Sequence, residues 1–307
     1  MRVRRAVPFA AATVLLLLFS YVPYLAPRRA IDLPFLMVFW TWWCTTVMIL
    51  CDEARRRLEG MSLLDAIVAS PAAFLRFLAT GAACGLLLDG SAQWIGKLWI
   101  YPYWNPAVYG GTFVIGFCAY WLLLAETYFL AKALLRRLRP VSSAFSPKHH
   151  RATAPMISGS MLAGTGLLLA AADYRAAGGY RFAITRPTPV HVHFACFLLL
   201  FTGAWLLLEA LQRRQGKPSL LDAMGRRDWV PPAALLSAGW IFGFLMETTN
   251  AGQHFWIYTN WPLPKASLCG VPAVVLLAWP LQYVVFLSTF NVFAGPLAGP
   301  LVSEVWR

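Results

Sequence analysis

Long apolar runs, separated by short polar segments, fill almost the whole chain. Crossing the hydrocarbon core of a bilayer takes about 20 apolar residues in a helix. Eight runs come close to that length, at roughly 8–26, 33–51, 71–89, 108–131, 154–173, 190–211, 231–248 and 270–290. The pattern predicts an all-α polytopic membrane protein of about eight transmembrane helices. No stretch reads as a soluble domain.

The polar punctuation repeats. Ser62-Leu63-Leu64-Asp65 returns as Ser219-Leu220-Leu221-Asp222. About one helix later, Gly81-x-x-x-Gly85-x-x-x-Asp89 returns as Gly239-x-x-x-Gly243-x-x-x-Glu247. Trp99-Ile100-Tyr101-x-x-Trp104 then returns as Trp256-Ile257-Tyr258-x-x-Trp261. The order is kept, and the offset stays at 157 or 158 residues. Self-similarity at a fixed period marks a duplicated unit. The expected organisation is a first four-span repeat over 1–135, a cytoplasmic linker over 136–153, and a second four-span repeat over 154–307. Four spans each bring both halves in with the same orientation, as parallel repeats about an axis along the membrane normal. Each Ser-Leu-Leu-Asp reads as a helix N-cap with an acid at the third helical position.

Composition supports the membrane reading. Of 307 residues 59% are hydrophobic and 13% charged, against about 25% charged in a soluble domain. The net charge of +13 does not point to nucleic acid, because the basic residues sit in short connections between apolar runs. With the N-terminus inside, 19 of the 26 Lys and Arg fall in inner segments. That bias puts both termini in the cytoplasm, and an inner-membrane protein of a bacterium is expected. The six cysteines form no C-x-x-C pair, so neither a disulfide framework nor a zinc site is expected. Met1-Arg2-Val3-Arg4-Arg5 precedes an apolar run like a signal peptide, but bulky Tyr21-Val22-Pro23-Tyr24 stands where a cleavage site needs small residues. The run therefore reads as a first span.

Candidate chemistry gathers at the outer ends of the third and seventh spans. Residues at i, i+4 and i+8 line one helical face. Small residues at that spacing let two backbones approach in lipid. Each glycine face is expected to meet the other on the pseudo-axis and to end in an acid. Asp89 and Glu247 are then brought together, and a carboxyl near hydrocarbon needs a partner or a cavity. Two like carboxylates sharing a site resist double ionisation, which leaves a proton for general-acid work. The catalytic candidates are Glu247, Asp89 and Asn250. The substrate-binding candidates are Trp256, Tyr258, Phe255, Trp99, Tyr101, Trp261 and Trp104. An interfacial aromatic belt explains the number of these rings, but not their return in register after an acid. His191, His193 and His254 are a minority reading as a metal or haem site, and interfacial histidines are preferred. No cofactor is expected. No glycine-rich nucleotide loop, G-x-S-x-G elbow or H-E-x-x-H occurs.

The second half contains Gly239-Trp240-x-x-Gly243-x-x-x-Glu247-x-x-Asn250-x-Gly252-x-x-Phe255-x-x-Tyr258, then Gly270-Val271-Pro272 and Ala278-Trp279. This resembles the multi-span carotenoid biosynthesis family that includes acyclic carotenoid hydratases. It is equally similar to bacterial membrane proteins with a G-F-x-W-E-x-W-N…K-W-x-Y-x-x-P signature. Trp256 stands where the first family carries a glycine. The resemblance implies a lipid-soluble, isoprenoid-like substrate and protonation of an alkene to a tertiary cation. Glu247 is then the acid, Trp256 and Tyr258 the cation wall, and Asn250 or Asp89 the group that positions water. Two other readings stand beside it. One is a non-catalytic pigment- or haem-binding subunit with other membrane partners. The other is a small-molecule carrier with parallel repeats.

Overall fold

The computed structural model describes residues 33–60, 62–68, 70–102, 110, 116–138, 152–176, 194–263, 265–268 and 270–293, with 14–15 and 305–306. Helix dominates. Six helical stretches among the described residues are long and apolar enough to cross a membrane: Phe74–Gln93, Phe117–Leu138, Thr153–Ala176, Phe194–Arg214, Val230–Ala251 and Ala273–Phe293. The chain is an all-α integral membrane protein. The second expected span falls in a 27-residue helix, Leu33–Glu59. All of the first expected span except residues 14–15, and most of the 136–153 linker, lie outside the described residues.

In chain order, α1 is Leu33–Glu59, α2 Leu63–Val68 and α3 Pro71–Cys84. A single π-turn, Gly85–Asp89, continues α3 into α4, Gly90–Trp94. After β1 (Trp99–Ile100) come α5 (Phe117–Leu138), α6 (Thr153–Ala176), α7 (Phe194–Arg214), α8 (Leu220–Gly225) and α9 (Val230–Gln253). The chain closes with β2 (Ile257–Tyr258), β3 (Ser267–Leu268), β4 (Val271–Pro272) and α10 (Ala273–Phe293). One hydrophobic core joins α1, α3, α5, α7, α9 and α10. Helix α6 is peripheral. It meets α7 where Gly159, Gly166 and Gly203 remove all side-chain bulk; a Cβ on Gly159 would lie 2.9 Å from the Gly203 carbonyl oxygen. Its other faces present Met161, Leu167 and Leu168 outward, as expected for a lipid-facing helix.

The glycine faces do not meet each other. Gly81 and Gly85 pack on Cys118, Phe117 and Trp121 of α5. Gly239 and Gly243 pack on Pro280 and Trp279 of α10. Each face receives the next long helix in sequence or the last one, so the expectation of a shared glycine seam is corrected. The reason is side-chain size. A ring as large as Trp121 or Trp279 fits against a helix only where that helix has no side chain.

The Ser-Leu-Leu-Asp stretches do form helix N-caps. Ser62 Oγ accepts from Asp65 N at 2.9 Å, and Ser219 Oγ accepts from Asp222 N at 3.2 Å. The preceding long helix supplies a second cap. Asp52 accepts from Ser62 Oγ at 2.7 Å and from Leu63 N at 2.8 Å. Glu209 accepts from Leu220 N at 3.2 Å and Leu221 N at 3.3 Å. The first-turn N–H groups of a helix lack intrahelical partners, and here a buried carboxylate takes them. At the same end of the bundle Val305 and Trp306 are fully buried. Tyr128 Oη donates to Val305 O, and Trp306 Nε1 donates to Gln212 Oε1 at 2.7 Å. This segment ties α5 to α7.

Candidate functional site

The opposite end of the bundle holds a cavity. It lies where α4 and α9 finish and α1, α5, α7 and α10 begin. Its empty volume is about 1030 Å³, open mouth included. Twelve of its 21 lining residues are aromatic, so its walls suit an apolar or electron-poor guest. Asp89, Trp99, Tyr101, Glu247, Phe255, Trp256, Tyr258 and Trp261 all line it. Eight of the ten catalytic and binding candidates named from the sequence therefore share one space. Trp104 lies outside the described residues.

Each acid is held by the tyrosine of its own Trp-Ile-Tyr stretch. Tyr101 Oη donates to Asp89 Oδ1 at 3.0 Å, and Gln93 Nε2 donates to Oδ2 at 2.9 Å. Tyr258 Oη donates to Glu247 Oε1, which also accepts from Trp279 Nε1 at 3.1 Å. Trp256 Nε1 in turn donates to Tyr258 Oη at 2.8 Å. The second oxygens of the two acids also differ. Both oxygens of Asp89 accept hydrogen bonds, whereas Glu247 Oε2 is buried and has no partner among the described residues. No hydrogen bond joins the two carboxyls. They sit on one cavity, each on its own tyrosine. Burial and the neighbouring Glu247 push the Tyr258 phenol well above its ordinary value, so it stays a donor at any working pH.

The repeated stretches also build the mouth. Strands β1 and β2 pair antiparallel, Trp99 opposite Tyr258 and Ile100 opposite Ile257. Thr259 N donates to Leu98 O at 3.1 Å, and Asn260 Nδ2 donates to Gly96 O at 2.9 Å. Lys97 is buried beside this seam, and burial pulls its amine down to about 8. Asn250 does not line the cavity. Its amide donates to Trp256 O at 3.0 Å and accepts from Trp256 N at 3.1 Å. Both ends of the amide are used to fix the turn that carries Trp256, so Asn250 is a positioning residue. His254 ends α9 with a left-handed backbone, φ 56°. His191 and His193 lie outside the described residues. Among the described residues no three His, Cys, Asp or Glu side chains group as metal ligands.

Several wall residues carry no signal in the sequence. Trp40, Phe117, Tyr120, Phe197 and Phe201 line the cavity from within apolar runs, where single aromatics are ordinary. Trp279 reaches Glu247 because Gly243 leaves room for its ring. A Cβ on Gly243 would fall 2.7 Å from Trp279 Cδ1. Asp52 and Glu209 did carry a signal. Their separation is 157 residues, the same offset as the Ser-Leu-Leu-Asp stretches they cap. The chain matches no family model, no curated protein and no solved structure.

Proposed function

We propose that this protein is a membrane enzyme that hydrates an alkene of a lipid-soluble, isoprenoid- or carotenoid-like substrate. The observation that carries the reading is Glu247, a buried carboxyl on an aromatic cavity with one oxygen doubly bonded to donors and the other unpartnered. That is the hydrogen-bond pattern of a neutral acid, whose O–H has no protein acceptor to hold it. Asp89 accepts at both oxygens, the pattern of a carboxylate. Glu247 gives its proton to one alkene carbon, and the π electrons form the new C–H bond. The cation left on the more substituted carbon is stabilised by the aromatic faces. Water adds to that carbon and yields its proton to Asp89, giving a tertiary alcohol. Proton exchange with solvent at the mouth restores both acids.

The same reading covers the architecture. Eight spans form two parallel four-helix repeats with both termini cytoplasmic, in a bacterial inner membrane. Two observations support the repeat. Matched residues Ile100 and Ile257 lie opposite each other, as a two-fold axis through the strand pair requires. Each half also carries its own acid–tyrosine pair.

The test is turnover in proteoliposomes with an acyclic polyene in ¹⁸O-labelled water. Labelled tertiary alcohol is expected by mass spectrometry, and no incorporation rejects the reading. Glu247→Gln should lower the rate by about 10²–10⁴, the usual contribution of a general acid, with the melting temperature kept. Asp89→Asn should cost less, since water can still add without a fixed base. A Glu247→Gln protein that unfolds makes the acid structural instead.

A further inference from the structure

We infer that the Tyr120 hydroxyl holds the water that adds to the guest's cation, and so decides between an alcohol and a rearranged alkene as product. The inference rests on the hydration reading above and deepens it.

Nearly every polar side chain on the cavity wall is already spent. Asp89 and Glu247 hold the donors described above, and Glu247 Oε2 carries the proton in that reading. Trp256 Nε1 goes to Tyr258, and Trp99 bonds to Asp89. The nitrogens of Trp40 and Trp261 are buried out of reach. Two groups remain. The Tyr120 hydroxyl and the Gln282 amide line the cavity, make no hydrogen bond among the described residues, and are not sealed over.

Their positions differ. Gln282 is three residues past Trp279 on α10, one turn farther from the mouth and from Glu247. Tyr120 stands between the two acids. Helix α5 packs against α9 on one side and against α3 and its π-turn on the other. The Tyr120 ring meets Phe117 at 6.0 Å between centroids, and Phe117 packs on Gly85, one turn before Asp89. It meets Trp279 at 6.5 Å, and Trp279 donates to Glu247. Trp40 closes a third side at 6.0 Å. The residue is only 5% exposed, and both carboxyls lie within electrostatic reach of its hydroxyl.

A phenol hydroxyl can both donate and accept. A buried polar group with room beside it takes an ordered water, which needs further polar partners. The carboxylate oxygens of Asp89 each keep a second lone pair for that purpose. Water held there stands between the acid that makes the cation and the base that takes up the last proton. Once Glu247 has protonated the alkene, the water oxygen gives a lone pair to the cationic carbon. The C–O bond forms, and one water proton passes to Asp89. Tyr120 keeps its own proton and contributes placement alone. Without a placed water, the cation instead loses a proton from a neighbouring carbon to Asp89. The product is then an alkene with its double bond moved.

Turnover of an acyclic polyene by full-length protein in proteoliposomes, in deuterated ¹⁸O-labelled water, tests the inference. Carbon protonated by the enzyme carries deuterium in either product, so mass spectrometry counts both. Wild type should give mainly ¹⁸O-labelled alcohol. Tyr120→Phe keeps the ring contacts and should keep the melting temperature, since the hydroxyl has no protein partner. Its ratio of alcohol to rearranged alkene should fall by about 10²-fold, the cost of a misplaced reactant, with total deuterium incorporation little changed. An unchanged ratio, or equal loss of both products, overturns the role. A Tyr120→Phe protein that melts lower than wild type also overturns it, because the hydroxyl is then structural. Wild-type protein that forms no labelled alcohol overturns the hydration reading itself, whatever the variant does.

Discussion

At the scale of single residues, the two matched acids are held by unequal sets of donors. Asp89 is tied at both oxygens and Glu247 at one. The difference comes from the residue one helical turn beyond each acid: Gln93 is four residues after Asp89, whereas Ala251 is four after Glu247. The acids and the Trp-Ile-Tyr residues were legible because repetition in register separates them from the aromatic background. Asn250 was legible as a site residue but not as a brace, since spacing does not say which way an amide is used. Trp40, Tyr120 and Phe201 were not legible, because a ring in an apolar run looks the same whether it meets lipid, core or cavity. Lys97 gives a pH-dependent prediction. Its amine titrates near 8 in the folded protein and near 10.4 when unfolded. Below 8 both states are protonated, and the fold bears the cost of a buried cation. Between these values only the unfolded state keeps the proton, so stability rises with pH. The melting temperature of Lys97→Met, relative to wild type, should therefore fall steadily between about pH 8 and 10.4. A flat difference would show that the amine does not titrate in that window.

Elements show why matched sequences pack with unequal tightness. In the π-turn after α3, a Cβ on Gly85 would meet Phe117 Cγ at 3.3 Å, so the ring need give by only a few tenths of an ångström. In α9, a Cβ on Gly243 would penetrate the Trp279 ring. Gly85→Ala should be near neutral, because slight crowding is offset by better helix propensity. Gly243→Ala should destabilise by about 1–3 kcal/mol, as overpacking does, and should also displace Trp279 from Glu247. Thermal melting in detergent checks the first effect, and the Glu247-dependent rate the second. Equal costs at both sites would contradict the packing. The π-turn is a second asymmetry. The repeat offset falls from 158 at the acids to 157 at the Trp-Ile-Tyr stretches, so the first half holds one residue more. That residue lies between Asp89 and Trp99, whereas the π-turn spans Gly85–Asp89, where both halves keep the same spacing, and it turns Leu86 and Leu87 outward, 52% and 67% exposed. Helix lengths and order were readable from the apolar runs. The π-turn and the partner of each glycine face were not, since i, i+4 spacing marks a contact without naming its other side.

For the whole molecule, the basic residues and the cavity make one testable orientation. Ser267 is exposed near the mouth, and Met224 is exposed at the end bearing the capped short helices. With both termini cytoplasmic, Ser267→Cys should react with an impermeant maleimide on intact cells. Met224→Cys should react only after permeabilisation. The reverse pattern would invert the topology. The pairing of β1 with β2 also has a consequence for biogenesis. Among the described residues β1 pairs only with β2, so its partner arrives once residues 257–258 have been made, more than 150 residues later. The first half must therefore wait in the membrane with Trp99–Ile100 unpaired while the second is synthesised. Such a protein should tolerate being made in two parts. Residues 1–145 and 146–307, co-expressed as separate chains, should copurify and recover the cavity. Either fragment alone should be degraded, because each supplies only one strand of the mouth.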